Sequence, residues 1–109
     1  MLASCGVMEI QVNLDRFPDA RLIDVREPYE YSAGHIPGIE HVPMDQLGSL
    51  SVSEGETIVF VCLSGARSGM AAMAFQRHGV DAYSLDGGML SWAAGGGELE
   101  PPGGYVAPH

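Results

Sequence analysis

The residues with chemistry to offer are gathered in one run, Cys62, Leu63, Ser64, Gly65, Ala66, Arg67 and Ser68. The run before it, residues 57–61, is β-branched and aromatic, which predicts a strand buried on both faces of a parallel sheet. Cys62 then stands at the strand's carboxyl end. After it, Met70, Met73, Ala74 and Arg77 fall at helical spacing, with Ser68 as a hydroxyl cap and Gly79 as the terminator. A strand, a tight loop and a helix start in this order aim the loop amides and the positive end of the helix dipole at the space above the cysteine sulfur. That space suits an anion, and Arg67 carries a guanidinium able to fork around two oxygens.

A cysteine in such surroundings is expected to ionise below the ~8.5 of a free thiol and to act as a nucleophile at neutral pH. The plainer reading, a buried apolar filler, gives no reason for Gly65, Arg67 and a helix start to follow in fixed order.

The loop resembles the active-site loop of the single-domain rhodanese-like sulfurtransferases. Residues 22–38 (LIDVREPYEYSAGHIPG) are similar to the family's first signature, His41-Val42-Pro43 follows it, and residues 85–92 (LDGGMLSW) resemble the closing one. The resemblance covers about residues 10–95. It implies a single rhodanese-like α/β domain, a central parallel sheet with helices on both faces. It also implies Cys62 as the sulfur-carrying nucleophile.

The bulk properties fit one domain. The chain has 109 residues, a formal charge of −9, and 5 basic residues, all of them arginine. So acidic a balance argues against nucleic acid, which demands clustered positive charge. No apolar run approaches the ~20 residues of a membrane helix. A reducing, cytoplasmic setting is expected, because Cys5 and Cys62 suggest no disulfide scaffold. Residues 2–5 look like a lipid-attachment box but lack the basic and apolar regions of an export signal. Cys5 is read as a frayed-end residue, with a resolving thiol for Cys62 as the alternative. The expected boundaries are a flexible start over 1–7, the domain over 8–95, and a Gly/Pro-rich tail over 96–109, either mobile or partly draped.

The remaining elements should position the loop. An edge strand is expected from Met8, then a brief turn over 14–17 capped by Asn13. A central strand over 22–25 places Asp24 and Arg26 at its carboxyl end, where ligands bind in open α/β sheets. They are either substrate groups or a buried ion pair bracing the loop; the brace is favoured because a buried carboxylate needs a partner, and the family resemblance implies the same. A short helix over 27–33, entered through Pro28 and ended by Gly34, leads to a strand over 38–42 and a short helix over 44–50. His35 and His41 are read as structural, since no ligand set of three or four lies near them and no metal or cofactor is expected. A last strand over 82–85 and a helix carrying Met89, Leu90 and Trp92 close the domain. Gly88 is expected where the backbone turns close to the loop, and Trp92 as a core anchor whose indole N–H needs a partner.

The expected reaction is sulfur transfer in two displacements. Cys62 takes the outer sulfur of thiosulfate or a persulfide and passes it to cyanide or a thiol, including a thiol-bearing acceptor protein. Leu63, Ser64, Gly65, Ala66, Arg67 and Ser68 are the candidate substrate-binding residues, their amides forming a cradle for the charged sulfur. Arg67 either holds the donor or ties the loop to Asp24 or to carbonyls. Ser64 and Ser68 either donate to sulfur or cap the helix, with capping favoured for Ser68. The competitors are a cysteine phosphatase or arsenate reductase and a non-catalytic binding or sulfur-carrier module. Phosphatases of this kind carry five residues between Cys and Arg, whereas Leu63 to Ala66 are four; non-catalytic modules tend to lose the cysteine.

Overall fold

The computed structural model describes residues 9–109. The expectations for residues 1–8, including Cys5, lie outside the described residues, and the edge strand expected from Met8 is described as a short strand at Gln11–Val12. Five parallel strands form one sheet: β1 (Gln11–Val12), β2 (Arg21–Asp24), β3 (Glu40–His41), β4 (Thr57–Val61) and β5 (Asp81–Leu85), in the order β1-β5-β4-β2-β3. The helices are α1 (Pro28–Ala33), α2 (Ala66–Arg77) and α3 (Gly88–Ala94), with 3-10 turns at Leu14–Arg16 and Met44–Ser49.

β4 is central because it is apolar on both faces. Ile58 and Phe60 pack with Ala71 and Ala72 of α2 and Leu47 on one side. Val59 and Val61 pack with Ile36, Leu85 and Met89 on the other. Alternate residues of one strand thus feed two cores, as the period of two requires. Removing each large apolar side chain fully from water contributes roughly 1.5–3 kcal/mol.

Several local expectations shift. The strand expected over 38–42 shortens to Glu40–His41. Asn13 makes no side-chain cap, and the turn after it is held by backbone bonds from Arg16 to Asn13 and from Phe17 to Leu14. α1 carries a capping box between Glu27 and Glu30, with Pro28 at its start. α2 ends in a Schellman motif: Gly79 adopts φ +81°, its N–H donates to the Gln76 carbonyl, and that of Val80 donates to Phe75.

After α3 the chain drapes back over α1. Glu100 exchanges backbone bonds with His35 at 2.8 and 2.9 Å, and the Tyr105 N–H donates to the Ala33 carbonyl at 2.9 Å. The Trp92 indole N–H donates to the Glu98 carbonyl at 2.7 Å. Tyr31 is stacked between His35 and His41, at centroid distances of 3.8 and 4.2 Å. His35 Nδ1 meets the Tyr31 carbonyl and His41 Nε2 the Arg26 carbonyl, both at 2.8 Å. Both histidines therefore serve packing and backbone, and no group of three or more His, Cys, Asp or Glu able to hold a metal occurs among the described residues. No described helix is long and apolar enough to cross a membrane.

Candidate active site

The Cys62 loop leaves the end of β4 and turns at once into α2. Gly65, at φ +108°, occupies the residue before the helix and has no side chain to cap it. The first amides of a helix need acceptors, and here the sulfur is one of them: the Gly65 N–H donates to Cys62 Sγ at 3.0 Å. This corrects the expectation for Ser68. The helix starts three residues earlier, at Ala66 after Gly65 in the capping position, so Ser68 lies within the first turn and faces inward. Its hydroxyl donates to Cys62 Sγ at 3.2 Å instead of capping.

Burial pushes the Cys62 thiol up. The Ser68 hydroxyl and the amides of Ser68, Gly65 and Ser64 outweigh it, and the net shift is downward. Cys62 is 1% exposed and belongs to the apolar cluster of Ile23, Val25 and Phe60, yet its sulfur accepts from two donors. Of the other loop residues, Gly65 and Ser68 are buried, Leu63 and Arg67 are half-buried, and Ser64 and Ala66 are exposed at the rim.

The first turn of α3 orients the loop. The Met89 N–H donates to the Cys62 carbonyl at 2.8 Å and the Leu90 N–H to the Leu63 carbonyl at 3.0 Å. With both carbonyls held by α3, the following amides are left to serve the sulfur. Gly88 makes the approach possible. A Cβ on it would lie 2.5 Å from the Cys62 carbonyl oxygen and 2.6 Å from that of Leu63, and its φ is +57°.

Behind the sulfur runs a polar relay, buried at Ser68 and Ser84 and exposed at Gln11. Ser68 Oγ lies 2.6 Å from Ser84 Oγ, whose hydroxyl reaches Gln11 Oε1 at 3.0 Å. Gln11 Nε2 donates to the Gly65 carbonyl at 3.0 Å, tying β1 and β5 to the loop. Neither Ser84 nor Gln11 was among the candidates. A hydroxyl inside the apolar strand β5 was the available signal for Ser84. Gln11 reads in an edge strand as an outward polar residue, and nothing local marks it.

Arg67 takes neither Asp24 nor a carbonyl as its partner. Nη1 and Nη2 donate to Oε1 and Oε2 of Glu30 at 2.8 and 2.9 Å. Glu30 is fully buried on α1. Burial pushes its carboxyl up, but the Arg67 hydrogen bonds, the Glu27 amide and the charges of Arg67 and Arg26 bring it below its ordinary value. Asp24 and Arg26 form a second, wholly buried pair, with Arg26 Nε at 2.9 Å from Oδ1 and Nη2 at 2.8 Å from Oδ2. Arg26 Nη2 also donates to the Gly34 carbonyl at 2.8 Å. This pair fastens the end of β2 to the end of α1, which in turn presents Glu30. An apolar groove of about 720 Å³ lined by Leu47, Met70 and Phe75 contains no residue of the 62–65 loop.

Comparison with known proteins agrees with this fold. Residues 9–95 match the rhodanese-like domain family. An uncharacterized protein of Bacillus subtilis, YqhL, is 36% identical over 84 residues, 74% of this chain and 64% of its own length, so the chain spans less than two thirds of that relative. A probable thiosulfate sulfurtransferase superposes with a TM-score of 0.72 at 28% identity, over 84% of this chain and 47% of that one. A Rhodopseudomonas palustris protein described as a possible tyrosine phosphatase superposes with a TM-score of 0.70 at 27% identity, over 80% of this chain and 76% of its own. From the family match across the whole sheet and its cysteine loop, the chain belongs to the rhodanese-like domain family.

Proposed function

We propose that the protein is a sulfurtransferase that carries sulfane sulfur on Cys62. The observation that carries the reading is the sulfur itself, which accepts from the Gly65 amide and the Ser68 hydroxyl at the carboxyl end of the central strand. Such donors favour thiolate over thiol and also suit the charged outer sulfur of a persulfide. The thiolate attacks the outer sulfur of the donor; its electron pair forms the new S–S bond, and the donor's bond breaks toward the leaving group. An acceptor thiolate or cyanide then attacks the outer sulfur, and Cys62 leaves as thiolate. Donors that favour the thiolate let Cys62 attack without a general base. Splitting the transfer in this way gives ping-pong kinetics. The acceptor class is a thiol, protein-borne or small, and the setting is the reducing cytoplasm.

Intact mass after incubation with a sulfane donor tests the reading. Wild type should gain one sulfur and Cys62→Ser none; no gain with any donor would favour a non-catalytic module. The resemblance to a possible tyrosine phosphatase makes phosphate-ester hydrolysis the second reading. Four residues between Cys62 and Arg67, and an arginine fork already engaged by Glu30, argue against a site for a phosphoryl group. Turnover of para-nitrophenyl phosphate that disappears in Cys62→Ser would reverse the choice.

A further inference from the structure

The charges around Cys62 cancel. Arg67 is matched by Glu30 and Arg26 by Asp24. Of the other arginines, Arg16 meets Glu9, and Arg21 meets Glu40 and Glu56. Arg77, the fifth, has no carboxylate partner among the described residues, but it closes α2 ten residues after Arg67, roughly 15 Å along the helix. That distance exceeds the Debye length of about 8 Å at physiological salt. Arg67 keeps three N–H groups beyond the two that Glu30 accepts. These can still donate hydrogen bonds, but the pair brings no net positive charge to the loop.

The charge of the donor then decides. Thiosulfate is a dianion, and its reaction with a thiolate gathers three negative charges. The Cys62 electron pair forms the new S–S bond, the old bond breaks, sulfite leaves as a dianion, and the enzyme persulfide keeps the third charge. A persulfide carries one charge on its outer sulfur, so its reaction with the thiolate gathers only two. The Cys62 electron pair forms the new S–S bond, the S–S bond of the donor breaks, a single thiolate leaves, and the enzyme persulfide keeps the other charge. Only loop dipoles are on hand to offset the first case, whereas the second needs no more than those dipoles.

We propose that Glu30 is a specificity-determining residue that, by occupying the fork of Arg67, sets the Cys62 site for a low-charge persulfide donor and against thiosulfate. The inference rests on the sulfur-transfer reading and adds the donor class to it.

The test compares cysteine persulfide with thiosulfate as donors to the full chain. At low salt, kcat/KM for thiosulfate should be at least ~100-fold below that for cysteine persulfide, and the gap should narrow as ionic strength screens the repulsion. Glu30→Gln, which leaves Arg67 uncompensated, should shift the ratio toward thiosulfate by ~10-fold or more, mainly through a lower thiosulfate KM. A general loss of structure would depress both donors and leave their ratio unmoved. If the variant does not fold, as judged by circular dichroism, the salt dependence of wild type decides alone. Comparable use of both donors at low salt, a ratio insensitive to salt, or an unchanged ratio in folded Glu30→Gln would overturn the proposal. Failure of either donor to add sulfur to Cys62 is a different result, which removes the sulfur-transfer reading itself.

Discussion

Ser84 Oγ lies 2.6 Å from Ser68 Oγ, and Ser68 donates to the Cys62 sulfur. A hydroxyl has one hydrogen, so when Ser68 gives its own to the thiolate it must accept from Ser84. When the sulfur is protonated, Ser68 is free to donate to Ser84, which then donates to Gln11. The direction of the relay follows the charge on the sulfur.

Removing Ser84 should therefore raise the ionisation midpoint of Cys62. The folded thiol lies below its ordinary value, so alkylation by iodoacetamide should reach its plateau at a lower pH than for a free thiol. Ser84→Ala should move that midpoint upward and slow alkylation at pH 7 about 5-fold, the equivalent of one ordinary hydrogen bond. Ser68→Ala removes a donor to a charged sulfur and should cost roughly 10- to 100-fold. A pH–rate profile unaltered by both substitutions would show that the hydroxyls do not stabilise the thiolate.

Gly88→Ala should damage stability and activity together. Its Cβ would collide with two backbone carbonyl oxygens, which cannot rotate away as a side chain would, and its φ of +57° adds strain. A loss of about 2–4 kcal/mol is expected in urea unfolding. Gly38 has a positive φ of +79° but open space around it. Gly38→Ala should cost only about 1 kcal/mol and spare activity, separating crowding at the loop from conformational strain.

Asp24→Ala should be more damaging than its distance from the sulfur suggests. It strands the Arg26 guanidinium in a fully buried site, and breaking such a pair typically costs about 3–5 kcal/mol. Unfolding in urea, compared with Cys62→Ser as a control, measures it. A loss below about 1 kcal/mol would mean that Arg26 finds another partner or reaches water.

Acid should weaken the fold through Glu30. A carboxyl whose folded pKa lies below its unfolded value of about 4.3 stabilises fully above that value and loses the contribution as pH falls through the folded pKa. The stability difference between wild type and Glu30→Gln should hold from pH 7 to about 5 and shrink at more acid pH. A difference independent of pH would assign the loss to packing or capping instead of to the ion pair.

The chain by itself determined the candidate cysteine and the strand, loop and helix that carry it, because these are contiguous and their signals are local. An apolar run, a glycine, an arginine and a helical period stand side by side in the sequence. The buried Asp24–Arg26 pair was legible for the same reason, its members being two residues apart. A cap at Ser68 follows from the hydroxyl preference of helix starts, which is a local rule, whereas the structure gives the capping position to Gly65, whose N–H donates to the sulfur. Only the tertiary structure decided who faces the loop. Glu30 reaches Arg67 across 37 residues, Ser84 reaches Ser68 across 16, and Gln11 reaches Gly65 across 54. Those partners are set by strand order and helix placement, and no spacing along the chain records them.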